Sequence, residues 1–148
     1  MTAEESSMQT YGVSRATTAS PDKVWSVWSD PNNWSRWNSG ITSAEVDGPI
    51  ANGTKGKMTT NRSSAHEVTF FNVVEGRGFS MAMAGPPLAS FTFSCEITPD
   101  GTGSTIAQNV TITGPLAFLF GPMMGAQMAK HFIPVLDDLA RTAEAGAP

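Results

Sequence analysis

Few residues of this chain are of a type that could carry reaction chemistry, and they stand apart from one another. There are two histidines, His66 and His131, and one cysteine, Cys95. His66 opens the run His66-Glu-Val-Thr-Phe70, where Val68 and Phe70 share its face if the run is a strand. A histidine there could take a proton alpha to a carbonyl, the step an aldol-type cyclisation needs. Its nearest carboxylate, Glu67, points to the other face, and a strand-edge or surface histidine is the plainer reading. Phe70 also stands where an HExxH zinc motif would need its second histidine. With the histidines far apart and no Cys/His/Asp spacing, no metal is expected, and no glycine loop suggests a nucleotide or flavin cofactor.

Cys95 lies between Phe93 and Ile97 in an alternating run. A nucleophile would need an activating base and exposure, so the cysteine reads as a small inert hydrophobe. Gln108 is the polar residue in the apolar row Ile106, Gln108, Val110, Ile112. A buried amide needs partners, which are either a ligand's carbonyl or hydroxyl, or a neighbouring side chain or water. His131 falls on the stripe Met124, Met128, His131, Val135, Leu139, with Phe132 and Leu136 beside it. It either meets a ligand or packs at a rim. Gln108 and His66 are the candidates for catalysis.

The elements that must position these residues are legible in outline. Tyr11 to Ala19 reads as a first strand. Ser20 is a good N-cap and Pro21 suits the first helical position, so a helix carries Val24, Val27 and Trp28 on one face until Pro31. A second short turn presents Trp34 and Trp37. All four tryptophans thus stand between Trp25 and Trp37, as part of a core or the lid of a cavity.

From Ile41 to Thr113 the chain reads as antiparallel strands: Ile41–Val46, Thr54–Thr60, Ser64–Val74, Phe79–Ala84, Ser90–Thr98 and Thr105–Thr113. A hairpin turn is expected over Pro99–Gly103. After Gly114-Pro115 the period changes to that of a helix, which Pro134 should bend. Leu116-Ala-Phe-Leu-Phe120 is too apolar for an ordinary loop and reads as a cavity gate, a dimer contact or a membrane-touching patch.

Composition narrows the class. The 148 residues suit one domain, over 11–146, behind a disordered tail at 1–10. A net charge of −4 with scattered Lys and Arg argues against nucleic acid as a partner. No apolar run reaches the roughly 18 residues of a membrane span. The polar, acidic start lacks the regions of a signal peptide, which points to a cytoplasmic protein, monomer or homodimer.

Taken together, Ser20-Pro-Asp-Lys-Val-Trp25, Trp37, Ile41, Gly53-Thr-Lys-Gly56, Glu67-Val-Thr-Phe-Phe-Asn-Val-Val74, Pro99-Asp-Gly-Thr-Gly103 and Gly114-Pro-Leu-Ala-Phe-Leu-Phe-Gly121 resemble the START-like, or SRPBCC, superfamily, in particular its polyketide cyclase/dehydrase-like branch. The resemblance runs from about Val13 to Glu144. It implies an α+β helix-grip fold: a curved antiparallel sheet of about seven strands wrapped around a long C-terminal helix, with two short helices after the first strand.

It also implies a deep cavity between sheet and helix for a small hydrophobic ligand, of lipid, sterol or polyketide type. Trp37, Met58, Met81, Met83, Phe91, Phe93, Gln108, Met124, Met128 and His131 are the expected lining. Methionines suit irregular apolar ligands because they pack adaptably. Cyclase or dehydrase activity, non-catalytic carriage or sensing, and a co-chaperone-like interaction role are the functions the resemblance admits. The interior arginine and tyrosine that it implies for aromatic cyclases have as candidates here Arg15, Arg62 and Tyr11.

Overall fold

The computed structural model describes residues 9–61, 63–84, 90–114 and 117–146, and of these the side chains of 9, 63, 64, 84 and 117–122 are left undescribed. Strand β1 (Gln9–Thr17) leads into helix α1 (Pro21–Trp28), a single 3-10 turn (Pro31–Asn33) and helix α2 (Trp34–Trp37). Strands β2 (Ile41–Val46), β3 (Lys55–Thr60), β4 (Ser63–Val74), β5 (Gly78–Ala84), β6 (Ser90–Asp100) and β7 (Gly103–Thr113) follow, and helix α3 (Ala117–Glu144) ends the chain. The strands form one antiparallel sheet in the order β1-β7-β6-β5-β4-β3-β2. The first strand therefore closes against the last, and β2 is left as the other edge.

Local chemistry accounts for the short helices. The Ser20 hydroxyl accepts from the Lys23 N–H, and Pro21 opens α1 where no N–H is missed. Val24, Val27 and Trp28 are the buried face. Beyond Pro31, Asn32 secures the free edge of the sheet: its Oδ1 accepts from the Val46 N–H at 2.9 Å and its Nδ2 donates to the Val46 carbonyl at 3.4 Å. Phe79 is the hub that joins these helices to the sheet. Its ring centroid lies within 6.3 Å of those of Trp25, Trp28, Trp34 and Phe70. Each such pair adds about 0.5–1.5 kcal/mol beyond the area it buries.

Alternation places Phe91, Phe93, Cys95 and Ile97 of β6 and Ile106, Val110 and Ile112 of β7 in the core, as their period requires. The expected turn over Pro99–Gly103 is shorter than the sequence suggests. Asp100 still pairs with Gly103, and only Gly101, at a left-handed φ of 63°, and Thr102 make the loop. Pro99 is tolerated because β5 pairs with β6 only as far as Glu96, so its missing N–H faces no partner strand.

Helix α3 starts where the period changes, soon after Gly114-Pro115, and residues 117–120 of the apolar segment are its first turn; Leu116 itself lies outside the described residues. Phe132, Leu136, Leu139, Ala140 and Ala143 are its buried face, while Met123 and His131 are exposed. Its C-terminal half is tied to β1. The Arg15 guanidinium bonds Asp137 at 2.7 Å, and the Thr17 hydroxyl donates to Glu144 at 2.6 Å. No described helix is long and apolar enough to cross a membrane.

Candidate functional site

A cavity of about 280 Å³ remains between the sheet and α3. Its walls follow from the two periods of the sequence. On the sheet side, Met81 and Met83 of β5 and Phe93 and Cys95 of β6 are two residues apart on one face. Register carries the same face sideways, with Cys95 opposite Gln108 and Met58 opposite His66. On the helix side Met128, His131, Phe132 and Val135 line it, at the i, i+3, i+4, i+7 spacing of one helical face. Trp28, Trp34, Trp37 and Asn38 close one end, beside Gly40, Ile41 and Thr60.

Of the residues expected to line a cavity, the structure brings together Trp37, Met58, Met81, Met83, Phe93, Gln108, Met128 and His131, and with them His66. Phe91 and Met124 lie elsewhere. Phe91 is buried near the start of β6, opposite Ile112 and Met83, and Met124 packs half-buried against the core. Arg62 lies outside the described residues. Arg15 is occupied with Asp137, and the Tyr11 ring packs on Gly125 of α3; neither reaches the cavity.

Sequence reasoning passed over Trp28, Trp34, Asn38, Thr60, Cys95, Phe132 and Val135 as lining residues. Phe132 and Val135 were within reach, since they continue the helical face begun by Met128. Asn38 carries no such signal, because it sits past the end of a one-turn helix.

A second hollow, of about 420 Å³, shares Asn38, Gly40, Thr60, Met128, His131, Phe132 and Val135 with the first. Ser39, Asn61 and Asp138 give this outer hollow polar walls. His131, exposed to solvent, stands where the two meet.

The polar groups of the inner cavity are few. The Trp34 indole N–H donates to the Trp28 carbonyl at 3.0 Å, and Asn38 Oδ1 accepts from the Gly40 N–H at 2.9 Å. No lysine, arginine, aspartate or glutamate is among the described lining residues. Burial pushes the Cys95 thiol well above its ordinary range, with the Glu96 charge adding to the effect, so it stays protonated. No described carboxylate hydrogen-bonds the imidazole of His66 or His131, and no three metal-ligating side chains gather among the described residues. Such a site can surround an apolar body, exclude water and offer a few hydrogen bonds. The histidines are the described lining residues able to exchange a proton near neutral conditions.

The fold is shared with proteins of solved structure. The chain is similar to the di-domain ARO/CYC StfQ from the steffimycin biosynthetic pathway, with a TM-score of 0.77 at 12% identity over 96% of this chain and 53% of that one. It is similar to Ara h 8.0201, with a TM-score of 0.75 at 14% identity over 93% and 99% of the two chains. A norcoclaurine synthase point mutant from Thalictrum flavum, in complex with a transition state analogue, gives 0.72 at 14% over 93% and 95%. At these identities the likeness is one of fold, and the fold is the helix grip that the sequence resemblance implied. No curated protein matches the sequence. The family model described as polyketide cyclase / dehydrase and lipid transport does match, over residues 8–144. With the sheet, the long helix and the cavity between them in place, the chain belongs to that family.

Proposed function

We propose that the protein binds a small, mostly apolar molecule in the cavity between the sheet and α3, and that binding is its principal activity. The cavity itself carries the reading: the interior is left open at about 280 Å³, close to the lower end of small-molecule sites, roughly 300–1,000 Å³. Trp37, Met58, Met81, Met83, Phe93, Gln108, Met128 and His131 are the proposed contacts. An interior left open also speaks against a pure protein-interaction role, for which a filled core would serve better.

Three tryptophans on the wall make the chain its own reporter. Titration with neutral N-phenyl-1-naphthylamine should give a saturable rise in dye emission with energy transfer from tryptophan. Val135→Phe, which grows into the cavity from α3, should weaken this at least tenfold while leaving the thermal midpoint unchanged or higher. Dye binding indifferent to Val135→Phe would place the ligand elsewhere and sink the proposal.

A cyclase reading is the second, favoured by the place of His66 on the cavity wall. In that case His66 removes a proton alpha to a ligand carbonyl and Gln108 orients the carbonyl. If turnover of a linear poly-ketone survives both His66→Ala and Gln108→Ala, those catalytic roles are wrong.

A further inference from the structure

Two buried side-chain atoms in the described structure have no hydrogen-bond partner, Trp37 Nε1 and Gln108 Oε1. Both belong to residues lining the same cavity. Buried polar atoms in native proteins are nearly always paired, because an unpaired one forfeits its hydration for nothing. These two are also of complementary kinds: the indole nitrogen only donates, and the amide oxygen only accepts.

Their neighbours show that pairing is available where the fold needs it. Trp34, one helical turn before Trp37, has its indole N–H on the Trp28 carbonyl, and Asn38, next in the chain, has its Oδ1 on the Gly40 N–H. The Ser104 hydroxyl and the Thr17 hydroxyl are likewise taken, by the Ala19 carbonyl and Glu144. Among the described residues only Trp37 Nε1 and Gln108 Oε1 are left, and both residues line the cavity.

We infer that Trp37 Nε1 and Gln108 Oε1 form a two-point recognition pair for a neutral, largely apolar ligand carrying one hydrogen-bond acceptor and one hydrogen-bond donor. This rests on the ligand-binding reading above and adds the polarity of the ligand and its orientation. Trp37 stands on the wall made by the short helices and Gln108 on the sheet wall, so the acceptor is directed to one and the donor to the other. With no described lysine, arginine or carboxylate on the wall, a charged ligand group would find only the histidines as partners, so a neutral ligand is favoured.

The test uses the full chain, dye displacement, and four probes on one scaffold: naphthalene, 2-acetylnaphthalene, 2-naphthol and 6-acetyl-2-naphthol, with 2-naphthoate as the anionic control. Each atom that gains a partner should tighten binding about tenfold over naphthalene. Trp37→Phe should bring the affinity ratio of 2-acetylnaphthalene to naphthalene down to about one, and Gln108→Leu that of 2-naphthol to naphthalene, each ratio being taken within one protein so that a change in naphthalene binding itself cancels. In the unsubstituted protein, the Trp37 indole N–H resonance should shift on adding 2-acetylnaphthalene while that of Trp34 stays in place. This readout holds even if a variant fails to fold. Equal affinities for the four neutral probes, gains that persist in the variants, or tightest binding of 2-naphthoate each overturn the recognition pair while leaving a ligand cavity. If no probe displaces the dye from any protein, the cavity reading fails and takes the pair with it.

Discussion

Gly125 on α3 offers a substitution whose sign is set by two competing terms. In the interior of a helix, replacing glycine by alanine ordinarily stabilises by about 1 kcal/mol, because alanine gives up less backbone freedom on folding. Gly125, however, is buried against the ring of Tyr11 on β1. A Cβ built there would lie 2.0 Å from Cδ2, 2.3 Å from Cε2 and 2.6 Å from Cγ of that ring. Three ring atoms inside any tolerable contact distance mean that helix or ring must move, and overpacking of this kind costs about 1–3 kcal/mol. Gly125→Ala should therefore destabilise by about 1 kcal/mol net, against the usual trend.

The assay is urea unfolding of a double-mutant cycle with Tyr11→Ala. With the ring gone, Gly125→Ala should stabilise by about 1 kcal/mol, which gives a coupling of about 2 kcal/mol. The dye affinity should follow, since raising α3 off the sheet changes the cavity it walls, and should recover in the double mutant. Effects of Gly125→Ala that agree in the two backgrounds to within about 0.5 kcal/mol would refute the packing argument.

Two further outcomes follow from protonation and burial. The Thr17 hydroxyl, before any other group, holds the Glu144 carboxyl below the ordinary glutamate range. A lowered folded-state pKa gives stability that is present above the unfolded value, about 4.3, and is lost as the pH falls through the folded one. Glu144→Gln should therefore flatten the acid limb of a stability-versus-pH curve, by less than about 1 kcal/mol because the group is exposed; an unchanged limb would show that the contact contributes nothing. Cys95 should resist DTNB at pH 8 in the folded protein and react fully in denaturant, as burial keeps its thiol protonated and out of reach. Rapid native labelling would mean that the cavity admits far more solvent than its walls suggest.

The parts of the fold that the sequence discloses are those fixed by period. Alternation along β6 and β7 names the inward residues, including Gln108, because a strand half-buried on one face leaves no other arrangement. The stripe through Met128, His131 and Val135 marks the helix face that reaches the cavity, whereas the buried seam runs beside it through Leu136 and Leu139, and Phe132 belongs to both. A helix lying over an incompletely filled sheet has both faces, and hydrophobicity alone does not tell core from lining. The glycines and prolines after Gly114 obscure the start of α3 for a related reason. Gly125 there is a notch for Tyr11 rather than a helix breaker, and a notch is visible only once its partner is in place.

The same reasoning explains why the sequence shows Gln108 as a polar group in need of a partner, while Trp37 shows only as a lining residue. A glutamine in an apolar row is anomalous by composition, so its need for a partner is evident from the row itself. Trp34 and Trp37 are chemically identical and three residues apart, and nothing in their spacing says which indole N–H finds a partner. What separates them is that α2 stops after one turn at Asn38, whose backbone N–H closes on the Trp34 carbonyl, while the Trp34 indole finds the Trp28 carbonyl beneath it. Trp37, at the last position of the turn, lines the cavity and has no hydrogen-bond partner for its indole N–H. Whether an atom is left unpaired depends on everything packed around it, whereas a side chain's face depends on period. Under the proposed pairing, the polarity of the ligand is set by which carbonyls one short turn leaves out of reach, a level deeper than the period that shapes the cavity.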